Sequence, residues 1–342
     1  MIDNVTFVLP KRYYGGMEVS NQKLMDYFSR NFSVTVSAYV QKGGGDNNPY
    51  ICNSCETLSL TEIYFSVLKW YKNRRQTLFV INGVFPLLCM LLIPFRVNAV
   101  YQLHCTLEGN NELKQFKRII LKSLVAICTY RFKVYCVSES LADEVRGYKL
   151  SNYNAVSFSP NVLDDYKIRA FNDISRLSFV GRISHQKDPI FAVDVFREFS
   201  RTDTGLKLSM IGEGHLTNKI KQKASTLNID FPGWLDQPYL AGSALLFTSN
   251  YEGYGLVIIE ALANGCLVVA RDAPHGPSDI LSKIDKDMIV PFDSGPEAYV
   301  DCLNLLRSKY SSKVEREQLK DRIYNYLKYL NDIRFNSWDV LL

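Results

Sequence analysis

The sequence lacks an apolar run long enough to cross a membrane. Its longest apolar region, residues 78–95, is interrupted by two prolines, a glycine and an asparagine. These interruptions favour a buried strand followed by a short helix over a membrane span. A signal-peptide pattern is also missing, because Met1-Ile2-Asp3-Asn4 leads directly into a strand-like Val5–Leu9. We therefore expect a cytoplasmic protein.

Cysteine pairs with the spacing of a zinc site are also missing. Eight cysteines are scattered along the chain, and only Cys52 and Cys55 form a Cys-x-x-Cys, with no second pair to complete a site. A redox or metal role for this pair is the minor alternative. Mostly apolar neighbours indicate reduced, buried thiols, which are typical of a cytoplasmic protein.

The 342 residues are 47% hydrophobic and 22% charged, which is typical of a folded chain long enough for two domains. The net charge of +5 is unevenly distributed. Residues 1–163 carry 18 Lys and Arg against 11 Asp and Glu, a net +7, whereas the remainder carries −2. This asymmetry indicates either an anionic partner for the first half or a chance distribution of charge.

Strands and helices alternate along both halves, which predicts an α/β fold with parallel sheets. One stretch organises the second half. Residues 245–248 predict a strand, 249–255 (SNYEGYG) a loop, 256–263 a helix and 267–270 another strand.

Glycines and carboxylates are placed for ligand binding in this stretch. Gly253 and Gly255 allow a ligand to approach the backbone closely, and the free N–H groups at a helix start favour an anion. Glu252 lies in the loop and Glu260 on the helix, a little over two turns apart. Two carboxylates at this spacing serve two points on an elongated ligand rather than one metal ion. The alternative is an ordinary buried strand–helix unit with solvated glutamates.

A basic pair follows the first strand of the second half. Arg182 and Lys187 lie five residues apart in a loop that Gly181 opens. Arginine offers a planar fork and lysine a mobile point charge, so the pair suits a diphosphate. The alternative is two surface cations.

Two other glycine pairs follow predicted strands. Gly212 and Gly214 end the strand at 206–211, and Gly15 and Gly16 follow the first strand of the chain. Each pair permits close approach to a phosphate or a sugar, although such pairs also mark plain turns.

Together these motifs resemble the retaining glycosyltransferases of GT-B architecture, in the large nucleotide-sugar family usually numbered four. Glu252 and Glu260 match its Glu-x7-Glu signature, and Arg182 and Lys187 match its diphosphate-binding pair. Residues 275–280 (HGPSDI) resemble a variant in some bacterial surface-polysaccharide enzymes of the family. The resemblance covers nearly the whole chain, most strongly over residues 176–280. It implies two Rossmann-like domains with parallel sheets facing across a cleft.

The resemblance also implies the reaction: transfer of a sugar from a nucleoside diphosphate, with retained configuration and without a cofactor or essential metal. UDP-sugars are the favoured donors, and a lipid-linked or lipopolysaccharide glycan is the expected acceptor. We identify no Asp-x-Asp of the kind that metal-dependent transferases use, and we expect no nucleic-acid partner. The implied catalytic residues are Glu252, Arg182, Lys187 and His104. The implied donor-binding residues are Gly15, Gly16, Gly181, Gly212, Gly214, Gly253, Tyr254, Gly255, Leu256 and Glu260.

His104 follows the predicted strand at 99–104, and a satisfied structural histidine is nearly as good an interpretation. We predict an acceptor-side domain over residues 1–165 and a nucleotide-sugar domain over 170–328. Residues 329–342 are predicted to cross back onto the first domain. The boundary lies between 163 and 174, after Ser159–Asp164, which resembles the family's interdomain segment.

A helix predicted over Asn111–Tyr130 is amphipathic. Its apolar stripe and its basic residues indicate either a core-facing helix with a solvated face or an interfacial helix on anionic lipid. A second basic cluster at residues 69–75 lies beside Trp70 and Tyr71. The excess charge favours peripheral binding to the inner face of the cytoplasmic membrane. The stripe consists of Leu113, Phe116, Ile120 and Leu124, and the basic residues are Lys114, Lys117, Arg118 and Lys122.

Two functions from other classes remain open. A nucleotide-dependent oxidoreductase also uses glycine loops after strands, but the first loop lacks Gly-x-Gly-x-x-Gly and no acidic residue closes the second strand. Thermal stabilisation by NAD but not UDP would favour it. A catalytically silent subunit on a membrane surface is the other alternative, and donor hydrolysis above background would exclude it.

Overall fold

The computed structural model describes residues 2–10, 16–43, 54–107, 115–148, 155–157 and 168–339. The chain divides into two compact units. The first comprises Met1–Asn161 together with Asn331–Leu342, and the second comprises Val162–Leu330. Features named above that lie outside the described residues include Gly15, Cys52, Leu113, Lys114 and the segment Ser159–Asp164.

The first unit contains a seven-stranded parallel sheet in the order β3-β2-β1-β4-β5-β6-β7. Its central strands β1 and β4 are apolar and almost wholly buried, as expected when helices cover both faces of a parallel sheet. The elements in chain order are β1 (Asn4–Leu9), α1 (Gly16–Asn31), β2 (Thr35–Gln41), β3 (Ser54–Leu58), α2 (Leu60–Lys69), β4 (Thr77–Asn82), α3 (Val84–Leu91), β5 (Asn98–Leu103), α4 (Gln115–Cys128), β6 (Lys133–Cys136), α5 (Glu139–Arg146) and β7 (Ala155–Ser157).

The second unit contains a six-stranded parallel sheet in the order β10-β9-β8-β11-β12-β13. Its elements are β8 (Arg176–Val180), α6 (Pro189–Thr202), β9 (Leu208–Ile211), α7 (Thr217–Lys223), β10 (Ile229–Gly233), β11 (Ser243–Phe247), α8 (Leu256–Ala263), β12 (Leu267–Arg271), α9 (Pro277–Ile284), β13 (Ile289–Val290), α10 (Pro296–Lys309) and α11 (Lys313–Asp339). Two Rossmann-like parallel sheets confirm the predicted α/β fold class.

The apolar region at residues 78–95 forms a strand and a helix, as the sequence predicts. β4 is followed by α3, which begins after Gly83. No helix within the described residues is long and apolar enough to span a bilayer.

The helix α2 ends at Lys69, and the chain continues from Trp70 as successive turns. The Trp70 indole N–H donates to the Tyr39 hydroxyl at 3.0 Å. β3 was not predicted. It lies at the edge of the sheet and is largely solvent-exposed, so it carries no apolar pattern.

The helix α11 belongs to both units. It begins within the second unit, and its residues from Asn331 onward group with the first. There Trp338 is almost fully buried, and its ring packs edge-on against Phe28 and Tyr135 with centroids 5.7 and 4.8 Å away. Trp338 is therefore an aromatic anchor that holds the end of α11 in the first unit.

Candidate active site

The predicted donor-binding residues of the second unit converge because parallel strands end at one edge of a sheet. β9, β8 and β11 are neighbours, and each is followed by a loop that carries candidate residues. Gly181–Asp188 follows β8, Gly212–Gly214 follows β9, and Thr248–Gly255 follows β11. The carboxyl edge of such a sheet is the usual place for a ligand.

The centre of this edge is an ion pair between Lys187 and Glu252. The Lys187 ammonium contacts Oε1 of Glu252, whose side chain is buried, and the ammonium lies 5.6 Å from the centroid of the Phe247 ring. A buried carboxylate needs a counter-charge, and Lys187 supplies it. The lysine can also turn toward an anion, because about a fifth of its side chain is exposed (18%).

Hydrogen bonds tie the two loops that carry this pair. The Asn250 N–H donates to the Gln186 carbonyl at 2.8 Å, and the Gln186 side-chain amide donates to the Tyr251 carbonyl at 3.2 Å. The Thr248 hydroxyl donates to the Lys187 carbonyl at 2.9 Å. Hydrogen bonds to backbone carbonyls thereby hold the residues next to Lys187 and next to Glu252.

Arg182 lies in the same loop as Lys187, and its side chain is exposed. The loop is held to the neighbouring one, since the Ile183 N–H donates to the Glu213 carbonyl at 3.0 Å. The structure therefore brings Arg182 to the sheet edge that holds the Lys187–Glu252 pair.

Gly212 and Gly214 have a packing reason to be glycine. A Cβ at Gly212 would lie 2.1 Å from the Gly181 carbonyl oxygen, and one at Gly214 would lie 2.2 Å from that of Ile183. Any larger residue would push the two loops apart. Their role in donor binding stays a prediction, whereas their role in loop packing follows from the distances.

The glycine loop enters α8 through Gly255, whose φ of 89° is the left-handed conformation that glycine adopts without strain. Gly253 and Leu256 flank this turn. The Tyr254 hydroxyl lies 3.0 Å from that of Tyr326, and burial raises the pKa of Tyr254. The Tyr254 side chain is therefore engaged within the fold, and its role in donor binding stays a prediction.

Glu260 has a partner that the sequence did not reveal. The Tyr239 hydroxyl donates to Oε2 of Glu260 at 2.7 Å. Tyr239 is buried, and its burial, with the nearby Glu260 carboxylate, raises the pKa of its hydroxyl, which remains a donor. Tyr239 precedes Glu260 by 21 residues and lies in no recognisable motif, so the spacing carries no signal for this contact.

His104 and Gly16 lie in the first unit. His104 follows β5, and its Nε2 is 2.7 Å from the Asn82 side-chain oxygen. Burial lowers the pKa of His104 to about 4, so the ring is neutral near pH 7. Gly16 begins α1 and is exposed.

The sequence contains one Asp-x-Asp, at Asp285-Lys286-Asp287, and its surroundings explain it. Lys309 Nζ donates to both oxygens of Asp285 at 2.9 and 2.8 Å and to Asp287 at 2.7 Å. These bonds, with the Tyr310 hydroxyl, hold the pKa of Asp285 below its usual value despite partial burial. The motif is thus a structural anchor for α10.

Two residues of the apolar stripe predicted for α4 do not face the core. Phe116 is 75% exposed and Ile120 43%, whereas the buried residues of this helix are Val125, Ala126 and Cys128. The core-facing interpretation is therefore wrong for Phe116 and Ile120.

The second unit has the sequence pattern of a known protein family. Residues 167–326 match the model of the glycosyl transferases group 1. This group 1 region coincides with nearly all of the second unit and with slightly less than half of the chain.

One curated relative of this chain is the N-acetylgalactosamine-N,N'-diacetylbacillosaminyl-diphospho-undecaprenol 4-alpha-N-acetylgalactosaminyltransferase of Campylobacter jejuni. It is 25% identical over 200 residues, which cover 54% of this chain and 53% of that protein. The chain spans about half the length of the curated relatives it matches.

Solved structures resemble the whole chain in fold. TarM superposes with a TM-score of 0.81 at 12% identity, covering 100% of this chain and 99% of TarM. HepE of Anabaena, in complex with UDP and glucose, superposes with a TM-score of 0.72 at 15% identity, covering 98% of both chains. The fold is that of the GT-B glycosyltransferases, and the group 1 match supports a glycosyltransferase.

Proposed function

We propose that the chain is a retaining family-four glycosyltransferase that transfers a sugar from a nucleoside diphosphate, with UDP favoured, to a saccharide acceptor. One observation carries the proposal. A partly buried lysine–glutamate pair lies where three glycine-containing loops meet at the carboxyl edge of the group 1 sheet. That arrangement combines a cation for a phosphate with a carboxylate for sugar hydroxyls.

The reaction breaks the bond between the anomeric carbon and the oxygen of the outer phosphate. Negative charge then grows on the departing nucleoside diphosphate. Lys187 and Arg182 stabilise this charge together with the N–H groups at the start of α8, and fixed donors of this kind contribute strongly to rate. The acceptor hydroxyl forms the new bond on the same face and gives its proton to the departing phosphate oxygen.

Each carboxylate has a separate task in this proposal. When the donor phosphate attracts Lys187 away from Glu252, the Glu252 carboxylate binds hydroxyls of the donor sugar. Both members of the ion pair then have new partners. Glu260 accepts hydrogen bonds from the ribose hydroxyls. Because Tyr239 holds Oε2, the other carboxylate oxygen, Oε1, is directed toward the ribose.

UDP is favoured because HepE, which shares the fold, has been solved with UDP and glucose. A lipid-linked acceptor is favoured because the Campylobacter relative is named for a sugar carried on diphospho-undecaprenol. His104, neutral near pH 7, is suited to hydrogen-bond a sugar hydroxyl in the first unit. The expected place of action is therefore the inner face of the cytoplasmic membrane.

The test combines binding and turnover. Calorimetry with UDP, GDP and NAD identifies the nucleotide, and a panel of UDP-sugars is then assayed for hydrolysis and for transfer to a lipid-linked saccharide. Proton NMR of the first product formed gives its anomeric configuration. We expect UDP binding, hydrolysis above background and a retained anomer. Binding of NAD alone, or an inverted product, would refute the proposal.

A surface on α4 supports membrane binding. Phe116, Ile119 and Ile120 are exposed on the same helix as Lys117 and Arg118, in the half of the chain with a net charge of +7. Exposed apolar residues beside cations suit the boundary of an anionic bilayer. The second cluster, at residues 69–75, also combines a cation with an exposed ring, because Arg74 stacks over the Tyr71 ring at 4.1 Å.

Vesicle sedimentation tests the membrane surface. We expect binding to anionic but not neutral vesicles at low salt, weakened as salt screens exposed charges over roughly 10 Å at 0.1 M. Glutamine at Lys114, Lys117, Arg118 and Lys122 should abolish most of this binding and leave UDP affinity unchanged. Glutamine at Lys219 and Lys221, on α7 of the second unit, is the matched control and should change neither. Equal sedimentation with neutral and anionic vesicles would exclude the membrane role.

A further inference from the structure

Arg271 is a buried cation outside the predicted site. It is the last residue of β12 and is only 6% exposed. Its guanidinium lies 4.2 Å from the centroid of the Phe191 ring and 5.4 Å from that of Phe292. Burying an arginine is costly unless its charge is paired, so its partners show what the residue does.

Both partners belong to the loops that carry the ion pair. Arg271 Nη1 donates to Oδ2 of Asp188 at 3.1 Å and to Oδ1 of Asn250 at 2.7 Å. Asp188 directly follows Lys187, and Asn250 precedes Glu252 by two residues. One terminal nitrogen therefore connects the loop after β8 with the loop after β11.

Asp188 is held in a conformation that needs support. Its φ of 46° and ψ of 58° lie in the left-handed region, which costs free energy for a residue other than glycine. Its carboxylate also caps α6 by accepting the Phe191 N–H at 3.2 Å. The Arg271 guanidinium holds the other carboxylate oxygen of Asp188, Oδ2.

Asn250 connects the loop after β11 both to Arg271 and to the loop after β8. Its side-chain oxygen accepts from Arg271, and its side-chain nitrogen donates to the His185 carbonyl at 2.9 Å. Because Asn250 and Asp188 flank the two members of the ion pair along the chain, movement at either one displaces Lys187 or Glu252.

We propose that Arg271 is a positioning residue. It sets the separation of Lys187 and Glu252 by bracing the loop after β8 against the loop after β11. This inference rests on the proposed function for its effect on catalysis, but the bracing itself is independent of the substrate. Misplacing reacting groups by about 1 Å costs roughly 10²-fold in rate, so losing the brace should lower kcat more than it raises KM for the donor.

The test uses Arg271→Met and a matched control, Arg307→Met. Arg307 is also partly buried and also joins two segments, since it pairs with Asp203 at 3.1 Å and donates to the Ile174 carbonyl at 3.3 Å. These partners lie outside the loops of the ion pair. Both variants are measured well below their unfolding temperatures for kcat, donor KM and amide hydrogen exchange.

We expect Arg271→Met to lower kcat about 10²-fold and to speed exchange at the Asn250 and Glu252 amides at least tenfold. These amides donate to the Gln186 and Pro274 carbonyls. Arg307→Met should change neither quantity more than twofold. If Arg271→Met does not fold, Arg271→Lys, which keeps a charge but loses the planar group, is measured in its place and should show both effects.

Unchanged exchange at these two amides, or the same change in Arg307→Met, would overturn the bracing role. Faster exchange with wild-type kcat would overturn its link to catalysis. A wild-type protein that turns over no sugar nucleotide would instead refute the proposed function, and the exchange measurement would still decide whether Arg271 braces the loops.

Discussion

Replacing Tyr239 with phenylalanine should weaken UDP binding. The substitution removes the hydroxyl that donates to Glu260 Oε2 and keeps the buried ring. A hydrogen bond to a charged group contributes roughly 1.5–3 kcal/mol to the folded state, and this one fixes the Glu260 carboxylate in one orientation before UDP binds. Only the cost of orienting the carboxylate passes to binding, and water replaces part of the lost interaction because Glu260 is half-buried. We therefore expect the UDP dissociation constant to rise about tenfold, which corresponds to about 1.4 kcal/mol.

Calorimetric titration with UDP measures this change, and kcat at saturating donor should fall less than threefold because the ribose is remote from the reacting bond. Tyr310→Phe is the matched control, since Tyr310 also donates its hydroxyl to a carboxylate, that of Asp285. It should lower the unfolding temperature and leave UDP affinity unchanged. An unaltered dissociation constant in Tyr239→Phe, or equal weakening in Tyr310→Phe, would refute the role given to Glu260.

Three other predictions concern the site. Lys187→Ala and Arg182→Ala should each lower kcat roughly 10²- to 10³-fold, because each removes a cation from the charge that grows on the leaving group. The control Lys207→Ala, which removes the lysine paired with Asp230 at 3.1 Å, should retain wild-type turnover. Wild-type turnover in either site variant would exclude the proposed binding of the diphosphate by Arg182 and Lys187. Turnover should survive EDTA in full, and a loss restored by Mg²⁺ or Mn²⁺ would contradict the metal-free mechanism. The folded pKa of His104, about 4, lies below the usual 6.5, so the unfolded chain binds the proton first and stability falls as pH drops from 6.5 toward 4. Between pH 7 and 4.5 the free energy of unfolding, measured by urea titration, should fall by up to about 3 kcal/mol less in His104→Gln than in the wild type. An identical pH dependence in the variant would show that His104 is not its source.

The convergence of the second unit's loops was predictable because its sequence signals are local. Glycines, Glu252 and Glu260 follow apolar strands at fixed spacing, and parallel strands end at one edge, so the loops converge without any knowledge of side-chain packing. The Lys187–Glu252 pair follows from this convergence, although its two members lie 65 residues apart.

The contacts that support the site were not predictable, because they join segments with no common motif. Tyr239 reaches Glu260 from a nonrepetitive segment, and Arg271 looks in sequence like the end of a buried strand. Gly212 was predicted to bind the donor, whereas its structural reason is the close carbonyl of Gly181. Likewise, helical periodicity in α4 shows that Phe116 and Ile120 share a face but not which surface that face contacts.

The burial of Trp338 has a consequence for the order in which the protein is completed during synthesis. The aromatic rings of Phe28 and Tyr135, which Trp338 covers, are made early, but Trp338 leaves the ribosome only after the whole second sheet has been translated. The core of the first unit is therefore closed only after α11 has been made. A nascent chain that lacks α11 would contain all strands of both sheets but would leave Phe28 and Tyr135 without Trp338, although domains usually complete their folding from the N-terminus onward.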